Sequence, residues 1–347
     1  MKEYDLFFIQ NAPAFYKINL FNALSENLRV GVIFLGESGQ VVMDKEKQYW
    51  KFDSYCMNRN LDKMSAVEVL LTVKKIWEVI RSVKYEYIVY GGWSNIEFVI
   101  FMFLTSRSRN CVISESSIYE SSITGVKGLL KRWIINRHSH AFVSGYPHKI
   151  LFEKMNFKGK IHITGGVGLA FRPTKVEYTR RLIHQPLRYI YTGRLIEKKN
   201  VKLLIEVFNK TGRPLTIIGT GAQAQVYKEM ARSNIEFVGF VENKKLGEFY
   251  VSHDCFILPS NIEQWGLVVE EALSYGLPVI VSDMVGCNID LVENYHSGII
   301  FNHTSKDDLE RALLQMENNY MQYKTNVGLI DFSERDKKQI QVYQNIL

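Results

Sequence analysis

The chain has 347 residues, 46% hydrophobic and 23% charged, an ordinary globular balance that excludes a disordered chain. That length is enough for two separate cores. A net charge of +7 leaves three acidic partners to weigh: nucleic acid, an anionic membrane surface or a phosphorylated substrate.

Lys2, Glu3 and Asp5 interrupt the amino terminus, so no signal peptide is expected. The longest apolar run, Phe98–Leu104, is far short of the twenty or so residues that span a bilayer. Cys56, Cys111, Cys255 and Cys287 are widely scattered without metal spacing, which fits free thiols in a reducing cytoplasm. No helix-turn-helix, zinc-finger or RNA-recognition pattern occurs, so no nucleic-acid partner is expected.

The first half alternates short apolar strands with helices, the pattern of a parallel sheet covered on both faces. Strands are predicted at Asp5–Ile9, Val30–Leu35, Tyr87–Tyr90, Cys111–Ser114, Ala141–Ser144 and Lys160–Ile163. Helices are predicted at Ile18–Asn27, Ala66–Arg81, Ile96–Thr105, Val126–Asn136 and Pro147–Met155. Asp44–Asp62 fits no element and is read as an irregular excursion. Asn11, Tyr16 and Glu115 follow strand ends, at the carboxyl edge where open α/β sheets bind ligands. Glu115 could orient a bound ligand's hydroxyl, or the Ser114-Glu115-Ser116-Ser117 stretch could be a turn whose serines cap the next helix. His138-x-His140 is too short for a helical metal-ligand pair and reads as surface.

From Ser121 to Phe152 there are five Lys or Arg and no acidic residue. Within it Val126, Leu129, Leu130, Trp133 and Ile134 fall at helical spacing, ringed by Lys127, Lys131, Arg132 and Arg137. Such a helix can lie on an anionic bilayer through residues 126–137, or pack its stripe on its own sheet.

Phe171–Pro186 is charged, has two prolines and lacks periodicity, as an interdomain linker would. Alternation then resumes with strands at Arg188–Thr192, Leu215–Ile218, Ile235–Val238, Cys255–Leu258, Pro278–Val281 and Gly298–Phe301. Helices are predicted at Asn200–Lys210, Gln223–Met230, Lys245–Ser252, Leu267–Tyr275 and Lys306–Asn318, with a helical tail at Ser333–Leu347. The expected division is residues 1–170, a linker 171–186, a second domain 187–332 and a tail 333–347.

The most informative stretch is Ser260–Glu271, in which Glu263 stands in a loop and Glu271 on the following helix. Between them lie the amides of Gly266, Leu267 and Val268 at a helix start, where unpaired N–H groups and the dipole favour an anion. Two carboxylates flanking a phosphate site match the layout of a nucleotide sugar. Earlier, Thr192-Gly193-Arg194-Leu195-x-x-x-Lys199 leaves a strand end with two cations, which could meet an anion or form a solvated basic turn. Ile218-Gly219-Thr220-Gly221 lacks the third glycine and the acidic partner of a dinucleotide site, so NAD is not expected.

Pro259-Ser260-x-x-Glu263-x-Trp265-Gly266-Leu267-x-x-x-Glu271-Ala272-Leu273, then Gly276-x-Pro278-Val279-Ile280, resembles the E-x7-E region of retaining GT-B glycosyltransferases of the GT4 type, glycosyl transferases group 1. The family usually has Phe where this chain has Trp265, and often Gly where it has Gln264. Gly193-Arg194-Leu195-x-x-x-Lys199 resembles the family's diphosphate clamp.

The resemblance implies an α/β fold of the GT-B plan, two Rossmann-like doubly wound domains facing across a cleft, with the tail crossing back to the first. It implies Arg194 and Lys199 on the diphosphate, Glu263 on the transferred sugar and Glu271 on the ribose. Gly219 and Gly221 would lie near the nucleotide, with absence of a Cβ letting the ligand approach. Val238 and Phe240 would receive the base, although Val238-Gly239-Phe240-Val241 also reads as a plain strand exit. Asp283, Gly286 and Asp290 resemble a family loop and read as structural. The first domain has Ala and Pro after its first strand where the family often has glycines, and no counterpart of the family's catalytic His.

The implied function is retaining transfer of a sugar from a UDP- or GDP-linked donor to a glycan or lipid-linked acceptor in cell-surface polysaccharide synthesis. No cofactor and no metal ion are expected in the chemistry. The location would be cytoplasmic, peripheral to the inner face of the membrane. The alternatives are a nucleotide-sugar epimerase of the same fold and a non-catalytic nucleotide-sugar-binding subunit.

Overall fold

Strand β1 (Lys2–Gln10) sends Leu6 and Phe8 to one core and Phe7 and Ile9 to another, all four fully buried. A strand covered on both faces reads as a continuous apolar run, and β1 does. The computed structural model that shows this describes residues 1–36, 47–59, 65–173 and 184–347. It divides into two units, Met1–Leu169 with Ser333–Leu347 and Ala170–Phe332. Of the stretch read as a linker, residues 174–183 lie outside the described residues.

The first unit holds seven parallel strands: β1, β2 (Val30–Gly36), β3 (Asp53–Arg59), β4 (Val83–Tyr90), β5 (Asn110–Ser114), β6 (His140–Val143) and β7 (Lys160–Ile163). Their spatial order is 3-2-1-4-5-6-7. One face carries α1 (Phe15–Leu24), whose Phe21 packs on Phe8, and the terminal helix α12 (Phe332–Gln344), whose Tyr343 stacks on Phe142. The other face carries α2 (Ala66–Ser82), α3 (Ile96–Leu104) and the base of α4 (Gly125–Ile135). Helix α5 (Tyr146–Lys154) covers β5 and β6 beside α4.

The excursion expected at Asp44–Asp62 is corrected where it is described. Lys47–Tyr49 forms a turn of 3₁₀ helix, and Asp53–Arg59 is the edge strand β3, in register with Gly31–Gly36. Its sequence, with Asp, Ser and Asn among seven residues, carries little strand signal. Tertiary contact supplies what propensity lacks: the Tyr4 hydroxyl donates to Asp53 Oδ2 at 2.8 Å and lies 2.8 Å from the Tyr55 hydroxyl.

The second unit holds six parallel strands, β8 (Tyr189–Thr192), β9 (Leu215–Ile218), β10 (Ile235–Gly239), β11 (Cys255–Leu258), β12 (Val279–Ser282) and β13 (Gly298–Phe301). Their order is 10-9-8-11-12-13. The helices are α6 (Val201–Thr211), α7 (Ala224–Met230), α8 (Leu246–Ser252), α9 (Leu267–Ser274), α10 (Lys306–Asn318) and α11 (Tyr320–Gly328). Helix α11 was not expected, since its polar sequence has no apolar stripe; buried Tyr320 and Val327 anchor it. A π-helical turn, Asn288–Glu293, follows β12.

In each unit the strand order reverses beside the first strand, where an open α/β sheet forms its ligand crevice. The reversal lies between β1 and β4 in the first unit and between β8 and β11 in the second.

Candidate active site

In the second unit, the loop after β8 carries Arg194 and Lys199 and the loop after β11 carries Glu263, so all three stand at the strand-order reversal. The Arg194 side chain is exposed, while its carbonyl accepts from the Tyr191 hydroxyl at 3.1 Å. Lys199 Nζ is ion-paired with Glu263 Oε2, their side chains only 15% and 17% exposed. This contact joins two motifs that stand 64 residues apart in the chain. A half-buried cation and carboxylate compensate one another here, and an anion arriving at Lys199 would compete for the same charge.

The Glu263 loop is itself held. Glu263 N–H donates to the Met284 carbonyl at 3.1 Å, and the Glu263 carbonyl accepts from Gly286 N at 3.0 Å. Asp283, read as structural, accepts from the His303 backbone and ring at 3.1 and 2.7 Å. Gly266 stands at the start of α9 with φ of +96°, a left-handed conformation that side chains resist. The N–H groups of Leu267 and Val268, in the first turn, lack acceptors within the helix by its geometry.

Glu271 lies one residue beyond Glu270 on α9, and both are buried. Burial pushes the Glu271 carboxyl up to about 7; the charge of Glu270 adds to this, while Arg172 and a hydrogen bond from Tyr250 oppose it. The Tyr250 hydroxyl lies 3.5 Å from Glu271 Oε2 and 3.0 Å from Thr192 Oγ1, so it ties Glu271 to the residue that ends β8. Tyr250 gave no signal in the sequence, being one of two adjacent aromatics, with Phe249, on a short helix.

Gly219 and Gly221 also answer a requirement of the fold itself. A Cβ on Gly219 would stand 1.9 Å from the Gly193 carbonyl oxygen, and one on Gly221 2.4 Å from that of Leu195. The missing side chains therefore let this turn support the Arg194 loop, with Leu195 N donating to Thr220 O at 2.8 Å. Val238 is half-buried, whereas Phe240 is 71% exposed and presents an open ring face after β10.

In the first unit, Asn95 Nδ2 donates to Asn11 Oδ1 at 2.5 Å, bridging the segments after β4 and β1 at that sheet's reversal. Glu115 is paired at 2.6 Å with Lys17 Nζ, whose side chain is 8% exposed. The sequence reading missed Lys17, which sits on α1 among apolar residues. Half-buried Tyr16 has its hydroxyl pushed up by burial and then by the Glu115 charge. Ser114 ends β5 and residues 115–117 lead irregularly into a turn at 118–120, where Ser117 Oγ accepts from Tyr119 N at 3.3 Å; the next helix begins at Gly125, so these serines cap none. His138 is fully buried rather than on the surface, and burial pushes it down to about 4.

The stripe on α4 does not pack on its own sheet. Val126, Leu129, Leu130 and Trp133 are 53–82% exposed, and of the five only Ile134 is buried. Trp133 lies against Phe103 at 4.2 Å. Trp133→Ala is therefore expected to cost about 1 kcal/mol or less, not the roughly 3–5 kcal/mol of a core aromatic. Thermal melting checks this.

Among the described residues no group of three His, Cys, Asp or Glu comes together as a metal site. No helix among them is long and apolar enough to cross a membrane. Among the described residues no disulfide joins any of the four cysteines.

Residues 180–330 match the family model described as glycosyl transferases group 1. These residues belong to that family. All four central residues of the second-unit site, Arg194, Lys199, Glu263 and Glu271, fall inside the matched segment, and Asn11, Tyr16 and Glu115 fall outside it.

The amylovoran biosynthesis glycosyltransferase AmsK of Erwinia amylovora is 30% identical over 174 residues, 45% of this chain and 42% of AmsK. The alignments with the first curated relatives span 24–30% of those proteins' lengths. Over whole chains the likeness is one of fold, the GT-B fold expected from the sequence. A sucrose-phosphate synthase of Thermosynechococcus elongatus has a TM-score of 0.73 at 14% identity, covering 100% of this chain and 99% of that one. HepE of Anabaena, solved with UDP and with UDP-glucose, reaches 0.71 at 15% identity over 100% of this chain and 98% of its own in the UDP complex.

Proposed function

We propose that the chain is a retaining glycosyltransferase that moves a sugar from a UDP- or GDP-linked donor to a glycan or lipid-linked acceptor in cell-surface polysaccharide synthesis. The observation that carries this reading is the Lys199–Glu263 pair at the strand-order reversal of a group 1 glycosyltransferase unit. AmsK, named for amylovoran biosynthesis, supports the acceptor class, and the complexes of HepE with UDP and UDP-glucose support the donor class.

In this reading Arg194 and Lys199 neutralise the donor diphosphate as negative charge develops on it. Glu263, released from Lys199 as the lysine turns to phosphate, holds hydroxyls of the transferred sugar. The first-turn amides of α9 face the same anion. Glu271 accepts from the ribose hydroxyls, and Phe240 offers a stacking face to the base. Leaving-group stabilisation drives an oxocarbenium-like transition state, with the acceptor hydroxyl attacking from the face the leaving group vacates. The two cations supply the positive charge, so the proposed chemistry calls on no metal ion. On the acceptor side Asn11, Tyr16 and the Lys17–Glu115 pair are the candidates, with Lys17 holding Glu115 in place.

Screening UDP- and GDP-sugars for nucleoside diphosphate release, with an acceptor extract, tests the reading; NMR of the product gives its anomeric configuration. Release that depends on acceptor, with retention, is expected. Conversion of the donor sugar without acceptor would identify an epimerase. Tight nucleotide binding with no release from any donor would identify a binding subunit.

We further propose that α4 rests on the cytoplasmic face of an anionic membrane. The exposed Val126, Leu129, Leu130 and Trp133 stand beside exposed Lys127 and half-buried Lys131 in a stretch without acidic residues. Each cation near such a surface contributes about 1 kcal/mol, and salt screens it. The wild-type chain should sediment with phosphatidylglycerol vesicles at low salt. The Lys127→Gln, Lys131→Gln variant should bind at least tenfold more weakly while keeping turnover on a soluble acceptor analogue. Wild-type protein that stays in the supernatant would remove the membrane reading.

A further inference from the structure

Glu270 is a carboxylate on a face of α9 whose other buried members include Val269, Ala272 and Leu273, and it is only 2% exposed. A carboxylate in such a place is costly unless its oxygens are paired. Both are. Oε1 meets Arg172 Nη2 at 2.5 Å, and Oε2 accepts the Trp265 indole N–H at 3.1 Å. Trp265 is itself 2% exposed and among the largest fully buried side chains of the molecule.

The positions of these three residues in the chain give the arrangement its meaning. This unit begins at Ala170 and ends at Phe332. Arg172 stands two residues inside the first end, and its guanidinium lies 4.9 Å from the ring centroid of Phe332, the last residue of the unit. Trp265 stands two residues after Glu263 and directly before Gly266, whose φ of +96° suits a residue without a Cβ. Its carbonyl also accepts from Cys287 N at 2.9 Å, so the indole N–H and the backbone together fix both sides of the loop.

We infer that Arg172, Glu270 and Trp265 form a strut tying both ends of this unit's chain to the loop that carries Glu263. In that role all three are positioning residues for the donor site. The inference rests on the donor-site reading given above and adds Arg172 and Glu270, which the quoted E-x7-E motif does not name.

The chemistry of the three side chains fits positioning better than bulk stability. A buried ion pair contributes little net stability against an apolar replacement of similar volume, but its geometry is directional. Phenylalanine, the residue usual at position 265 in the resembled family, would fill much of the same space and offer Glu270 no donor. This chain instead has an indole N–H and a carboxylate facing each other, with a guanidinium on the remaining oxygen.

Hydrogen exchange of the full chain, with and without saturating UDP or GDP, tests the strut without needing the true donor. Arg172→Ala and Glu270→Gln should each speed exchange of the amides of residues 263–268 by tenfold or more, with β8, β11 and β12 unchanged. Arg172→Lys should restore most of the protection, because the charge is returned. Trp265→Phe should fall between wild type and Glu270→Gln. The double variant Arg172→Ala, Glu270→Gln should be no worse than the poorer single, since both break one linkage.

Wild-type rates at 263–268 in both single variants would overturn the strut, provided the wild-type chain binds UDP or GDP. Equal acceleration throughout the unit, in Arg172→Lys as much as in Arg172→Ala, would also overturn it, by marking the cluster as core packing. A wild-type chain that binds neither nucleotide would instead overturn the donor reading, and the positioning role with it.

Discussion

Arg194→Ala is expected to lower turnover about a hundredfold or more while leaving the fold intact, a loss of about 2.7 kcal/mol of transition-state stabilisation. The fold survives for local reasons. The side chain of Arg194 is exposed, and the bonds that hold its loop are made by the backbone, from the Tyr191 hydroxyl and between Leu195 and Thr220. Removing an exposed head group from such a position changes stability by about 0.5 kcal/mol or less. Lys199→Ala should match the kinetic loss but add a second effect, because it leaves Glu263 half-buried without its cation. Single-turnover release of nucleoside diphosphate, with melting temperatures alongside, separates the two. If both variants kept near wild-type turnover, the diphosphate clamp would have to be sought elsewhere.

Much of the second unit was legible because its signals are local. Four-residue strands rich in β-branched, aromatic and other apolar residues, ending at Thr192, Ile218 and Leu258, announce themselves by composition, and the Glu263–Glu271 spacing lies within one loop and one helix. What the sequence could not show is what only the folded chain brings together. Nothing near Glu270 points to Arg172, 98 residues away and inside a stretch that reads as a linker. Lys17 is one cation on an apolar helix until the fold sets it beside Glu115. Strand β3 lacked signal for a related reason: an edge strand needs one good neighbour more than good propensity, and β2 provides it. Gly219 shows the converse. The glycine was noticed, but its packing partner, the Gly193 carbonyl, is visible only in the structure.

Glu271 should make both stability and nucleotide affinity depend on pH around neutrality. Its carboxyl is raised from 4.5 to about 7, first by burial and then by the neighbouring Glu270 charge, with Arg172 and Tyr250 opposing. Because the folded value lies above the unfolded one, the folded chain holds an extra proton between those limits. The stability this contributes is fully present below pH 4.5 and is lost as pH rises through about 7. The loss is on the order of 3 kcal/mol, at about 1.36 kcal/mol for each tenfold change in proton affinity. Glu271→Gln cannot ionise, so the ligand-free variant should equal wild type near pH 5 and exceed its stability at pH 8. Binding should run the other way. Ribose hydroxyls donate more strongly to an ionised carboxylate, so UDP or GDP affinity should fall below about pH 7 in the wild type. At pH 8 Glu271→Gln should bind the nucleotide more weakly by about 1.5–3 kcal/mol, whereas Glu263→Gln should spare nucleotide binding and harm transfer. The nucleotide's own terminal phosphate also titrates near pH 6, so the informative quantity is wild-type affinity relative to Glu271→Gln across pH. A ratio that stays flat from pH 5.5 to 8.5, or equal loss of nucleotide affinity in the two variants, would show that Glu271 does not hold the ribose.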